Sequence, residues 1–286
     1  MNLIHRALAS ALLAGCATPV LADNWNAPQE PFAIYGNTYY VGPRGVSAVL
    51  ITSPAGHILI DGGSIESPTQ IAAHIRQLGF KLEDVKYILN SHEHHDHAGG
   101  IAALQKMSGA TVIASEAGAL VLRSGKPGKN DPQYSEEPQP MGPAANVRAI
   151  ADGAVVTVGN VRVTAHATPG HTPGGTSWTW QSTEGGRAAN MVYADSLTAY
   201  TAKPFRYTDS PARTDLEHSI ATVAALPCDI LISAHPEFSN LWARKARAER
   251  EGHAGFIDTG ACKAYAEKGT KRLEEMLGEE KTGTGT

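Results

Sequence analysis

The sequence predicts an α/β fold in which sheets and helices stack as layers within one domain. Three observations predict it. Strand-like and helix-like apolar patterns alternate in both halves of the chain, and 42% of the 286 residues are apolar, enough to bury a large core. No shift in composition marks a second domain, so one layered unit spanning 23–286 is the economical reading. The formal charge is −4 and the 24 Lys and Arg are dispersed, which leaves no electrostatic footprint for nucleic acid.

Residues 1–22 read as a targeting segment, with Arg6 in a short polar start, an apolar run over 7–13, and small residues ending Val20-Leu21-Ala22. That run is too short to span a bilayer. Two cleavages stay open: one after Ala22, and one at Leu13-Ala14-Gly15-Cys16, which looks like a lipobox and would leave Cys16 as a lipid anchor. Both predict export, to the periplasm. An oxidising compartment favours disulfides, and with Cys16 lost or lipidated, Cys228 and Cys262 remain either as a pair or as two buried thiols.

Residues 32–60 read as short strands punctuated by Gly36-Asn37, Gly42-Pro43 and Pro54-Ala55-Gly56. Ser67-Pro68 then marks a helix start, with Ile71, Ile75 and Leu78 on one face and Gly79 at its end. A strand over 85–89 runs into a histidine cluster, and Ile101, Leu104 and Met107 follow at helical spacing. Residues 111–114 return as a strand and 115–123 form a helix. The Gly- and Pro-rich stretch 125–146 reads as a long irregular loop, either a flap over a site or a surface excursion. Strand patterns resume over 155–180 and end again at 191–193. Thr214 and Glu217 have capping-box spacing ahead of Leu216, Ile220 and Val223, 230–233 is a last strand, and the remainder from Phe238 is charged and helical.

The chemistry concentrates in His92-Glu93-His94-His95-Asp96-His97, which places four imidazoles and two carboxylates, Asp96 the one at ligand spacing, directly after a strand. Neutral imidazole and carboxylate are zinc ligands, and a loop lets alternate residues enter one cavity, as a helix at this spacing would not. His171, in Pro169-Gly170-His171-Thr172-Pro173-Gly174, and His235, in Ala234-His235-Pro236, follow strand-like runs on rigid turns that would project them towards a shared cleft. Glu93 and His95 read as solvated loop residues with no assigned role. His57, His74, His166, His218 and His253 lack ligand spacing and read as surface or core residues.

His92-x-His94-x-Asp96-His97 with downstream His171, Asp195 and His235 resembles the metallo-β-lactamase superfamily over nearly the whole mature chain. The resemblance implies a four-layer αββα sandwich with two zinc ions at one edge. His92, His94 and His171 would hold the first ion, and Asp96, His97 and His235 the second. Asp96 would also be the catalytic carboxylate that orients the nucleophile, while Asp61 would brace the metal loop by hydrogen bonding.

Tyr193-Ala194-Asp195-Ser196-Leu197-Thr198 resembles the β-lactamase subclass whose second zinc site is Asp-His-His, with Ser196 standing where other subclasses place a Cys. That subclass also carries a leader peptide and a cysteine pair placed like Cys228 and Cys262. It implies hydrolysis of the β-lactam amide of penicillins, cephalosporins and carbapenems, hence antibiotic resistance. Ser196 and Thr198 would donate hydroxyls to substrate, Asp195 would order its loop, and Trp25 and Tyr35 would line the cleft. The alternative makes Asp195 a bridging carboxylate, as in glyoxalase II and acyl-homoserine lactonases, with lactones or thioesters as substrates. Ser-x-x-Lys occurs nowhere, which sets serine β-lactamases aside. The expected partner is a small molecule, and the expected state a monomer.

Overall fold

Alternation along the strands sets the layers. In Gly56–Ile60, Ile58 and Ile60 point one way and Leu59 the other, and all three are fully buried, so both faces of the sheet are covered. The structure, a computed structural model, describes residues 25–137 and 140–283. The expected targeting segment and Cys16 lie outside the described residues.

The first half comprises β1 (Phe32–Tyr35), β2 (Thr38–Tyr40), β3 (Val49–Ser53), β4 (Gly56–Ile60), α1 (Pro68–Gln77), β5 (Val85–Leu89), α2 (His95–Ala98), α3 (Ile101–Ser108), β6 (Thr111–Ala114), α4 (Glu116–Ser124) and β7 (Val147–Ala149). The second comprises β8 (Val155–Val158), β9 (Val161–Ala167), β10 (Thr176–Glu184), β11 (Arg187–Ala194), α5 (Pro211–Ala225), β12 (Ile230–Ser233), α6 (Leu241–Glu251) and α7 (Ala261–Thr282). Among the described residues, β1 to β7 form one sheet in sequence order and β12-β11-β10-β9-β8 form the other. Hairpins join the antiparallel strands, and β4 to β7 run parallel with helices crossing between them.

Between the sheets, Ile58 and Ile60 meet Trp178, Met191, Tyr193 and Ile232. On the outer face of the first sheet, Leu59 and Ile88 pack on Ile71 and Ile75 of α1 and on Leu104 of α3. Val192 and Leu231 turn outward from the second sheet onto Leu216 of α5 and Tyr265 and Leu273 of α7. The order is therefore helix, sheet, sheet, helix, the predicted αββα sandwich. Each large aliphatic side chain so buried stabilises the fold by about 1.5–3 kcal/mol relative to exposure.

Two helix starts differ from the sequence reading. Ser67 stands at the N-cap of α1, but its hydroxyl accepts from the Ser64 amide at 3.0 Å and donates to Asn26 Oδ1 at 2.5 Å, so the cap itself is unmade. Helix α5 begins at Pro211, with Ser210 Oγ accepting from the Ala212 amide at 3.2 Å, rather than at the expected Thr214–Glu217 box. Proline at the first helical position is already fixed near the helical φ and has no N–H to satisfy, so it starts the helix a turn earlier. Glu217 pairs instead with Arg213 at 2.9 Å. The short strand β7 was not anticipated, since three residues carry too little alternation to register.

Cys228 and Cys262 form a disulfide across a separation of 34 residues, tying the approach to β12 to the first turn of α7. In the chain-entropy model such a loop contributes about 3–4 kcal/mol.

Candidate metal centre

Parallel pairing of β4 with β5 and of β11 with β12 brings four strand ends to one edge of the sandwich. Asp61 follows β4, Asn90-Ser91-His92 follow β5, Asp195 follows β11, and His235 lies just past β12. The chain leaves β5 extended, with His94 at φ −69° and ψ 150°, so His92 and His94 share one side and Glu93 takes the other. It then makes the single turn α2, which carries Asp96 and His97. A loop alone does not present the ligands, as had been expected; half the motif is extended and half helical.

His92, His94 and His171 offer ligand atoms that all lie within 4.8 Å of one another, and so do His92, Asp96 and His97. Asp96 Oδ2 is 3.0 Å from His97 Nε2 and 3.3 Å from His235 Nε2, and the two Nε2 atoms are 3.1 Å apart. Tetrahedral zinc with donors at about 2.0–2.1 Å sets neighbouring donor atoms about 3.3 Å from each other, which Asp96, His97 and His235 match and which small side-chain shifts give His92, His94 and His171. His92 Nε2 is buried without a hydrogen-bond partner, the mark of a nitrogen kept for a metal.

For four of the imidazoles, the other ring nitrogen is engaged by a protein oxygen. His92 Nδ1 lies 2.8 Å from Asp195 Oδ1, His171 Nδ1 2.7 Å from the Thr198 carbonyl, and His235 Nδ1 3.1 Å from the Gly45 carbonyl. His94 uses Nε2, which meets both Asp131 oxygens at 3.2 and 3.1 Å. Such partners fix the tautomer and the plane of each ring. His97 Nδ1 has a looser neighbour, Asp61 Oδ2 at 3.9 Å.

Asp61 is fully buried in the left-handed region at φ 61°, a conformation that Asp tolerates better than most residues. There its carboxylate accepts from Ser91 N at 2.7 Å, Ser91 Oγ at 2.6 Å and the Tyr193 hydroxyl at 2.7 Å, which braces the start of the histidine segment. Gly175 faces Asp195, and a Cβ there would collide with the Asp195 carboxylate and the Thr168 carbonyl.

Burial, followed by the neighbouring imidazoles, holds His92 well below the ordinary histidine range. Burial and His94 likewise push His171 down to about 3, so both rings stay neutral and able to ligate. Burial works against the charge on Asp96, but His97 and His235 outweigh it and keep the carboxyl well below the usual range. Burial raises Asp195 well above that range, and the Ser196 amide offsets only part of the rise.

The imidazoles open into a cavity of about 820 Å³ lined by Trp25, Thr198, Tyr200 and Phe238, together with Asp131 and Gln133 from the 125–146 loop. Trp25 lies 5.6 Å from His95 and 6.2 Å from His235, ring centre to ring centre. Tyr35 does not reach the cleft, because it is buried between the sheets with its hydroxyl donating to the Arg187 carbonyl at 3.2 Å. Thr198 is in the cavity wall, whereas Ser196 is 1% exposed and its hydroxyl is unpartnered.

A family model described as the metallo-β-lactamase superfamily matches residues 41–235, most of the chain and all six candidate ligand positions. The chain belongs to the metallo-β-lactamase superfamily. Among solved metallo-β-lactamases, it is 65% identical to MEM-A1, a subclass B3 enzyme isolated from a soil metagenome library, with TM-score 0.89 over 91% of this chain and 99% of that one. It is 52% identical to SMB-1 bound to 2-mercaptoethanesulfonate, with TM-score 0.88 over 90% and 99% of the two chains. It is 33% identical to BJP-1, a subclass B3 metallo-β-lactamase of Bradyrhizobium japonicum, with TM-score 0.83 over 91% and 97%. The N-acyl homoserine lactonase AttM of Agrobacterium fabrum is 40% identical over 18% of this chain. The chain spans only 28–35% of the length of such curated relatives.

Two residues of this metallo-β-lactamase domain escaped the sequence reading. Glu93 is not solvated: it is 4% exposed and accepts from Thr172 Oγ1 at 2.9 Å and from the Gly174 amide at 3.0 Å, which ties the histidine segment to the turn that carries His171. Asp131 sits in the Gly- and Pro-rich loop, where no periodicity flags a buried carboxylate.

Proposed function

We propose that this metallo-β-lactamase superfamily member hydrolyses the β-lactam amide bond of penicillins, cephalosporins and carbapenems with two zinc ions. Asp195 carries this reading: it is fully buried and lies 2.8 Å from the Nδ1 edge of His92, behind the ligand, which supports an ordering role and argues against the bridging carboxylate of the lactonase alternative. Likeness at 65% identity to a subclass B3 metallo-β-lactamase and at 52% to a second metallo-β-lactamase supports the same choice.

His92, His94 and His171 would hold one ion, and Asp96, His97 and His235 the other. Bound zinc supplies Lewis acidity towards a carbonyl or a departing nitrogen and makes hydroxide available from water near neutral pH. Asp96 stays ionised, so its carboxylate can accept a proton-bearing hydrogen bond and orient the attacking water. His171 Nδ1 meets the Thr198 carbonyl at 2.7 Å and the Thr198 hydroxyl at 3.3 Å; a hydroxyl that accepts there keeps its own hydrogen to donate to a substrate carboxylate from the cavity wall. Ser196, buried below exposure to the cavity, is secondary in this role. Trp25, Tyr200 and Phe238 give apolar walls for the substituents of a bicyclic ring.

We further take the active species to be a monomer without protein or nucleic-acid partners, exported through residues 1–22 to the periplasm. Residence there would let it confer antibiotic resistance. The test is a substrate panel with purified protein: a chromogenic cephalosporin, a penicillin and a carbapenem beside an acyl-homoserine lactone and a thioester. Rapid turnover of the β-lactams with little of the others is the expected result. Lactone or thioester cleavage without β-lactam turnover would overturn the reading and return Asp195 to a bridging role.

A further inference from the structure

An oxygen beside the second nitrogen of a ligand imidazole orients the ring, and at this site most such oxygens come from the sandwich edge itself. His92 Nδ1 lies 2.8 Å from Asp195 just past β11, His235 uses the Gly45 carbonyl, and His171 uses the Thr198 carbonyl. His94 differs, because its acceptor Asp131 comes from the long irregular loop. Asp131 is 3% exposed although it lies in a surface loop. It is locked locally: Oδ1 accepts from the Gln133 amide at 2.7 Å, its own amide donates to the Gly128 carbonyl at 3.1 Å, and its carbonyl accepts from the Tyr134 amide at 3.0 Å. The next residue, Pro132, accepts from the Ala202 amide at 2.8 Å, which pins the stretch beside the Thr198 segment.

We infer that Asp131 is a positioning residue for the first zinc site, coupling residues 125–137 to the metal through His94. A neutral imidazole has one N–H, and the Asp131 carboxylate can only accept, so their contact puts the hydrogen on Nε2 and the lone pair on Nδ1. Without Asp131 the ring is free to take the opposite tautomer and to rotate. Linkage is reciprocal: if the ordered stretch favours the ligating tautomer, zinc binding must favour the ordered stretch to the same extent. The inference rests on the proposed assignment of His94 as a ligand.

The test uses zinc-loaded wild-type protein and the variants Asp131→Ala and Asp131→Asn. Zinc affinity is read by competition with a chromogenic chelator, the first site is followed separately by the visible spectrum of the cobalt-substituted protein, and hydrogen exchange is followed across 126–136 with and without zinc. Removal of a partner behind a metal ligand weakens metal binding about 10–100-fold, and Asp131→Ala is expected to do so at the first site. Asp131→Asn should lose less, since its amide oxygen still accepts. In the wild type, zinc should slow exchange across 126–136, and that protection should vanish in Asp131→Ala. Wild-type-like zinc affinity in Asp131→Ala overturns the inference, as does exchange in the wild-type stretch that ignores zinc, a measurement that needs no variant to fold. Wild-type protein that binds no zinc would instead overturn the ligand assignment on which the inference stands.

Discussion

Asp96 and His95 are neighbours on one helical turn with opposite surroundings. Asp96 meets His97 and His235 within 3.3 Å, while the His95 ring is half-buried against Trp25 and, among the described residues, makes no hydrogen bond or ion pair with the candidate ligands. Asp96→Ala is therefore expected to lower β-lactam turnover by more than about a hundredfold, with loss of zinc from the second site, as removal of a metal ligand does. His95→Ala should leave turnover near wild type; equal damage in kcat from both variants would contradict the ligand assignment. Glu93 makes a different prediction. Its loss strands the Thr172 hydroxyl and the Gly174 amide, at a cost of about 1–3 kcal/mol. Urea denaturation should show that loss for Glu93→Ala and a smaller one for Glu93→Gln. The histidines and Asp96 were legible because dense, spaced ligands after a strand have few other readings. Glu93 and Asp131 were not, because a buried carboxylate in irregular backbone carries no period, and its partners are 79 and 37 residues away in sequence.

At the scale of elements, alternation and punctuation located most strands, including Thr111–Ala114 and Ile230–Ser233 at the bounds read from sequence. The start of α5 went astray because two signals compete there. Thr214–Glu217 has the spacing of a capping box, but Ser210-Pro211 combines an N-cap hydroxyl with a residue already helical in φ, the same pairing that marks α1 at Ser67-Pro68. Ser210→Ala is expected to cost about 0.5–2 kcal/mol. Thr214→Ala, on an exposed position inside the helix, should stay within about 0.5 kcal/mol of wild type. Equal effects on the urea midpoint would restore the capping box. The 125–146 loop could be read only as a flap or an excursion, since nothing in its composition shows where Asp131 and Gln133 come to rest.

For the whole molecule, the sandwich geometry makes the site. Parallel strand pairs in both sheets end at one edge, and the short connections beyond them deliver Asp61, the histidine motif, Asp195 and His235 to a common space, as open α/β sheets do at the carboxyl ends of their strands. The layered α/β fold was legible from alternation, but the four-layer order and the convergence of the two triads came from resemblance, since pairing between distant strands leaves no local mark in sequence. The central claim is that these triads hold zinc and that the zinc-loaded edge opens β-lactams. The most direct test is to strip the purified protein with a chelator, titrate zinc back, and follow hydrolysis of a chromogenic cephalosporin against zinc bound per chain. Turnover that is abolished by stripping and restored as two zinc ions per chain bind is the predicted result. Turnover that persists without metal, or that stays absent after both sites are filled, would contradict it.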